Sequence, residues 1–110
     1  MGRKTVLVDF DGVLNQYNGE FDKDKLPEIN SGAENFLKSL AEKYIVKIFT
    51  TRNKTQVSKW ISHYNLNKYV KSVTNVKEPA WLLIDDRCIH FDGNYTKTLE
   101  KIEKFKVWYK

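Results

Sequence analysis

The sequence predicts one α/β domain in which a mostly parallel sheet lies between two layers of helices. The chain has 110 residues, which leaves room for a single hydrophobic core and for no second one. Apolar segments of strand type alternate with segments of helical period, and this alternation is typical of parallel sheets with crossover helices. Polar residues directly follow three of the strand-like segments, as expected at the carboxyl edge of such a sheet. We therefore treat residues 1–110 as one three-layer α/β/α domain.

The first strand and the loop after it are the clearest features of the amino-terminal part. Apart from Asp9, residues 5–10 are β-branched or apolar, and the run breaks at Asp11 and Gly12. This pattern predicts a buried, parallel strand. Residues 13–30 have no clear period and contain several turn residues. A long loop is expected there, with a small hairpin near Asn18 and Gly19.

A first helix and a second strand follow this loop. Ser31 and Glu34 have the spacing of a capping box, so the helix is expected to begin at Ser31. Apolar side chains then recur at helical spacing as far as Ala41. Residues 44–49 form an apolar run that predicts the second strand.

The second half of the chain continues the alternation. The predicted segments are, in order, a helix at 55–65, strands at 69–74, 80–84 and 89–91, and a helix at 96–105. Residues 106–110 are aromatic and basic, and we expect them to pack back on the body of the domain.

Composition limits the class of protein. Lys and Arg exceed Asp and Glu by 19 to 14, a formal net charge of +5 that weakly favours anionic partners. Cys88 is the one cysteine, so neither an internal disulfide nor a multi-cysteine zinc site can form. No apolar run is long enough to span a membrane, and no signal-peptide core follows Met1. We expect a cytoplasmic protein without a membrane partner.

Two pairs of carboxylates follow predicted strands. Asp9 and Asp11 end the first strand, and Asp85 and Asp86 follow the fourth. Each pair taken alone is compatible with a polar turn that closes a strand. If the two strands are neighbours, Asp9, Asp11 and Asp85 lie within a few ångströms of one another, and an all-oxygen cluster of this kind suits Mg²⁺.

The second predicted strand also ends in polar residues, namely Thr50, Thr51 and Arg52. We regard them as candidates for substrate binding at the same edge. Arg52 and Asn53 could equally be an exposed polar pair at the start of a helix, with no contact to a substrate.

These segments together resemble the haloacid dehalogenase superfamily of phosphohydrolases, whose nucleophile is an aspartate. Residues 6–14 match the first motif of that family position by position. Residues 45–50 are similar to the second motif, an apolar strand that ends in Ser or Thr. Lys77 fits the third motif, and Asp85 with Asp86 fits the acidic pair of the fourth. The motifs occur in the family's order over residues 6–86.

The resemblance implies a mechanism and a role for each candidate residue. Asp9 would attack the phosphoryl group, and Asp11 would act as general acid and then general base. Mg²⁺ would be held by Asp9 and Asp85 with the Phe10 carbonyl, and Asp11 and Asp86 are further candidate ligands. Lys77 would offset charge near Asp9, while Thr50 would donate a hydrogen bond to a phosphoryl oxygen.

The resemblance also implies a Rossmannoid core without the cap domains that larger family members carry. The loop at 13–30 is long enough for a flap and too short for a folded cap. An open site and the net positive charge favour a nucleotide or a polynucleotide end as substrate. A sugar phosphate or other small phosphoester is the first alternative. A binding or regulatory module with little catalysis is the second.

Overall fold

The computed structural model describes residues 2–109 as an α/β domain with one four-stranded parallel sheet. The elements are β1 (Thr5–Asp9), α1 (Ala33–Lys43), β2 (Ile45–Phe49), α2 (Lys54–His63), β3 (Ser72–Thr74), β4 (Leu82–Ile84) and α3 (Tyr95–Lys104). The strand order is β3-β2-β1-β4, so β1 is flanked on both sides. The α/β class and the parallel sheet predicted from the sequence are confirmed.

The central strand β1 is buried on both faces, which explains its unbroken apolar run. Val6 and Val8 pair in register with Val46 and Ile48 of β2, and all four belong to the main hydrophobic core. Leu7 faces the other side of the sheet and is also buried.

Both of the first two helices pack on the face that carries Val6 and Val8. Leu37 of α1 and Val57 of α2 are fully buried in this core, and Trp60 meets Phe10 edge to face with ring centroids 4.8 Å apart. Because β2 and β3 are added successively on one side of β1, same-handed crossovers place α1 and α2 in one layer.

The start of α1 differs from the sequence prediction. Gly32, with φ of 88°, occupies the N-cap, and no side chain caps the helix. Ser31 lies one position before the cap, so the predicted capping box with Glu34 is wrong. The backbone N–H of Ala33 donates instead to the Asn30 carbonyl at 3.1 Å.

The predicted second layer of helices is not formed. The opposite face of the sheet is crossed by residues 75–81, which connect β3 to β4 without a helix. Lys47 of β2 pairs there with Glu78 at 2.7 Å. Within residues 2–109, no Cα atom of α3 lies within 8 Å of a Cα atom of another helix or strand, and α3 buries no residue.

The strand expected at residues 89–91 is also absent from the described part of the chain. After β4 the backbone N–H of Arg87 donates to the Asp85 carboxylate at 2.9 Å, which turns the chain away from the sheet edge. Residues 89–91 therefore do not pair, and β4 remains an edge strand.

The long loop closes at its base rather than at its tip. Asn15 and Ile29 form an isolated antiparallel bridge, and Gln16 N–H donates to the Glu28 carbonyl at 2.8 Å. The small hairpin expected near Asn18 and Gly19 is not present; those residues lie within a wide loop.

Trp108 folds back on the turn after β1, as expected for the last residues. Its Nε1 donates to the Gly12 carbonyl at 2.6 Å. Among residues 2–109, no helix combines the length and apolar character needed to cross a bilayer.

Candidate functional site

The carboxyl edge of the sheet brings together residues from three strands. At β1 the sheet order reverses, because β2 lies on one side of it and β4 on the other. Asp9 ends β1 beside Phe49, Thr50 follows β2, and Asp85 follows β4. A cavity of about 340 Å³ opens here. In parallel α/β sheets this reversal point is the usual place for a ligand.

Three carboxylates form the floor of this cavity. Oxygens of Asp9, Asp85 and Asp86 lie within 4.8 Å of one another. Burial raises the pKa of Asp9 to about 8, and the charge of Asp85 and a hydrogen bond with Asp86 add to this effect. The hard oxygen donors fit a cation such as Mg²⁺, and a bound cation would relieve the repulsion among them. The sequence predicts that Asp9, Asp11 and Asp85 meet. The approach of Asp9 and Asp85 is confirmed, but the third member of the group is Asp86 and not Asp11.

Two local features of the backbone hold this group in place. The Asp85 carboxylate accepts the Arg87 backbone N–H, which fixes its direction. Gly12 has φ of +83°, and a Cβ atom there would collide with the Asp86 carboxylate. Glycine thus provides both the left-handed turn and the space that Asp86 occupies.

Asp11 lines the same cavity but lies outside this group of three. Its two carboxylate oxygens are 3.0 and 2.8 Å from Nε of Arg52, and Oδ1 accepts from Nδ2 of Asn15 at 3.2 Å. The buried Asn15 also accepts the backbone N–H of Gly12. The structure therefore does not bring Asp11 to a metal-ligand position; it holds this carboxylate against the loop.

Arg52 is buried. The alternative interpretation of Arg52 as an exposed polar residue at the start of a helix is therefore wrong. Its Nη1 donates to the Asp22 carbonyl at 2.7 Å, and the Phe21 ring lies 4.5 Å from its guanidinium carbon. Its Nη2 has no partner among residues 2–109. Arg52 thus ties the loop to the sheet edge, while the next residue, Asn53, caps α2 through Thr55 N–H and Gln56 N–H.

Thr50 is buried at the cavity wall, and Thr51 lines it from an exposed position. The Thr50 hydroxyl accepts the Arg52 backbone N–H at 3.0 Å, so its own proton is free to be donated into the cavity. Asn75 Nδ2 donates to the carbonyls of Thr50 and Arg52 at 2.7 and 2.8 Å. Asn75, which sequence reasoning did not single out, fixes this turn.

Lys77 is not brought to the carboxylates. It is exposed and lines a separate groove of about 460 Å³ beside Leu7 and Trp81. The cation that lines the carboxylate cavity is Arg87. Arg87 directly follows the acidic pair in the sequence, and this position was the available signal.

Aromatic side chains form the rim of the cavity. Tyr17 and Phe21 reach it from the loop, and Phe49 lies at the end of β2. Both loop residues belong to the segment 13–30 that the sequence predicts as a flap, and both line the cavity. The contribution of Tyr109 was not foreseen: its hydroxyl accepts from Arg87 Nη2 at 3.3 Å.

The sequence matches no protein-family model, and it matches no curated protein.

Proposed function

We propose that the protein is a Mg²⁺-dependent phosphohydrolase of the haloacid dehalogenase type, with Asp9 as its nucleophile. The observation that carries this proposal is the group formed by Asp9, Asp85 and Asp86 at the reversal point of a parallel sheet. The order of the motifs in the sequence supports the same function.

Asp9, Asp85 and Asp86 would hold the metal, which supplies a positive charge that offsets the meeting of two anions. Asp9 must be ionised to attack. Without a bound cation, its raised pKa keeps most of the carboxyl protonated near neutral pH. An Asp9 carboxyl whose pKa is raised in this way, set beside further oxygen donors, suits a reaction that begins with cation binding.

The reaction exchanges one phosphorus–oxygen bond for another. An Asp9 carboxylate oxygen bonds to phosphorus, and the bond from phosphorus to the leaving oxygen breaks. In this role Asp11 enters the reaction protonated and gives its proton to that leaving oxygen, and the carboxylate that results pairs with Arg52. It then takes a proton from the water that attacks phosphorus, the bond from phosphorus to Asp9 breaks, and phosphate is released. Arg52 and Asn15 hold Asp11 at the cavity wall for both transfers.

The wall of the cavity supplies hydrogen bonds to the phosphoryl oxygens. The Thr50 hydroxyl accepts the Arg52 backbone N–H, so its own proton remains available for a phosphoryl oxygen. The residue is buried, and this hydrogen bond holds its oxygen at the cavity wall before the substrate arrives.

The rim favours a substrate whose leaving group has a flat face. Tyr17, Phe21 and Phe49 line a cavity that otherwise holds carboxylates and hydroxyls. Stacking on such side chains is typical of nucleobase binding, and the net charge of +5 favours a nucleotide or polynucleotide end. A sugar phosphate would leave these rings unused.

The test compares three phosphomonoesters: an aryl phosphate, a 3′-phosphorylated oligonucleotide and a sugar phosphate. We expect hydrolysis with Mg²⁺, loss with EDTA, and loss of at least about 1000-fold in Asp9→Asn. Asp92→Asn, an exposed aspartate of the loop before α3, is the matched control and should retain activity. Hydrolysis that survives both EDTA and Asp9→Asn contradicts the mechanism, and a preference for the sugar phosphate contradicts the substrate class.

A further inference from the structure

Residues 107–109, here called the aromatic segment, are attached to the turn that carries the site. Trp108 Nε1 donates to the Gly12 carbonyl at 2.6 Å. Gly12 directly follows Asp11, and its backbone N–H is in turn bound by Asn15. Trp108 is 65% exposed, so its hydrogen bond to Gly12, rather than burial, fixes Trp108 at this point.

Tyr109 extends this attachment to two side chains at the mouth of the cavity. Its hydroxyl accepts from Arg87 Nη2 at 3.3 Å. Its ring meets Tyr17 edge to face, with centroids 6.0 Å apart and an interplanar angle of 80°. Tyr17 and Arg87 both line the carboxylate cavity, whereas Tyr109 contacts both without lining it. Tyr109 therefore influences the cavity through these two neighbours.

Arg87 is the side chain that this contact directs. It is exposed beside three carboxylates, yet among residues 2–109 none of them lies within 4.0 Å of its guanidinium nitrogens. Its hydrogen bond to Tyr109 uses one of five guanidinium donors. The remaining planar fork has the geometry that binds two oxygens of one phosphate.

We propose that Tyr109 is a positioning residue that holds Arg87 for the phosphate and Tyr17 for the leaving group of the substrate. The role of Tyr109 in hydrolysis rests on the proposed function. The same contacts also predict that Tyr109 strengthens phosphate binding, which can be measured without turnover.

Binding of inorganic phosphate in the presence of Mg²⁺, measured by calorimetry, is the first arm of the test. Arg87→Ala is expected to weaken binding roughly 10- to 100-fold, the effect of losing hydrogen bonds to a charged group. Tyr109→Phe, which keeps the ring and removes the hydroxyl, is expected to weaken it about 3- to 10-fold. Arg3→Ala and Tyr95→Phe are the matched controls. Arg3 contacts the Ala41 carbonyl, and Tyr95 is an exposed residue of α3.

The second arm separates positioning from folding. If wild type hydrolyses the substrates, Tyr109→Phe should raise KM for all of them by the same factor and leave kcat within about twofold, as expected for lost uniform binding. Tyr109→Leu removes the ring as well, so KM should rise further only for substrates with an aromatic leaving group. A general loss of structure would lower kcat for every substrate.

The outcomes separate this inference from the proposed function. If the wild type hydrolyses nothing but the phosphate affinities follow the expected order, the reaction is wrong and the assignment of Tyr109 stands. If Tyr109→Phe binds phosphate as tightly as Tyr95→Phe, or if the wild type binds no phosphate with Mg²⁺, the assignment is wrong.

Discussion

Nε of Arg52 lies 2.8 Å from Oδ2 of Asp11, in an ion pair that joins residues 41 positions apart in the sequence. The Arg52 side chain is 1% exposed and that of Asp11 is 19% exposed. The pair fastens the start of the long loop to the turn between β2 and α2. It lies at the edge of the carboxylate cavity, so it contributes both to stability and to the placement of Asp11.

Removing the cation of this pair should destabilise the domain. Arg52→Met leaves the Asp11 carboxylate without its partner, and breaking a buried pair from one side costs about 3 kcal/mol. We expect a fall in melting temperature of roughly 10 °C or more. The double variant Asp11→Asn with Arg52→Met should recover part of this loss, because no unpaired charge remains. A single variant that unfolds within about 0.5 kcal/mol of wild type in urea would show that the pair does not hold the loop.

The raised pKa of Asp9 predicts how stability depends on pH in the metal-free protein. Below its usual value of 3.8, the carboxyl holds its proton in both the folded and the unfolded chain. As the pH rises towards about 8, the unfolded chain releases this proton and the folded chain keeps it. Folding stability contributed by Asp9 therefore falls across this window and is constant above it.

Asp9→Asn isolates this effect. The variant should melt roughly 4 °C above wild type at alkaline pH in EDTA, and the difference should shrink towards pH 4. Asp92→Asn, with the same change at an exposed position, should follow wild type throughout. A gain that is equal at acid and alkaline pH would mean that the Asp9 charge is not its cause.

The sequence predicted the parts of the fold that depend on local pattern. The unbroken apolar run of β1 and the apolar face of α2 are properties of neighbouring residues, and both elements lie where the pattern puts them. The parallel order follows from the alternation of strands and helices. The grouping of Asp9 with Asp85 needed only the further assumption that β1 and β4 are neighbours, and they are.

The predictions that were wrong concern features that local sequence patterns do not determine. Ser31 does not cap α1, because Gly32, which can adopt the left-handed conformation, occupies the N-cap. The burial of Arg52 depends on Phe21 and Asp22, which no spacing rule connects to it. Lys77 fits a motif in sequence, but the segment at 75–81 crosses the opposite face of the sheet and places Lys77 in another groove.

Gly12 offers a test of the carboxylate geometry that does not change any carboxylate. Gly12→Ala places a Cβ atom against the Asp86 carboxylate, and the flexible end of that side chain has to move. Gly93→Ala has a similar positive φ of +95° with nothing within 4 Å. Both variants should lose about 1 kcal/mol through the left-handed backbone. Only Gly12→Ala should weaken Mg²⁺ binding, by at least about tenfold in calorimetry. Equal Mg²⁺ affinities in the two variants would exclude Asp86 as a ligand.

Helix α3 should be dispensable for the stability of the core, although its apolar residues suggest the opposite. Leu99 is 65% exposed, whereas Leu37 of α1 is fully buried. Leu37→Ala leaves a cavity beneath α1 and should cost about 2 to 5 kcal/mol. Leu99→Ala makes the same change where no packing is lost, so it should remain within about 0.5 kcal/mol of wild type. Urea unfolding of both variants makes the comparison. A cost above about 2 kcal/mol for Leu99→Ala would mean that α3 packs against the domain in solution, which would supply the second helical layer that the sequence predicts.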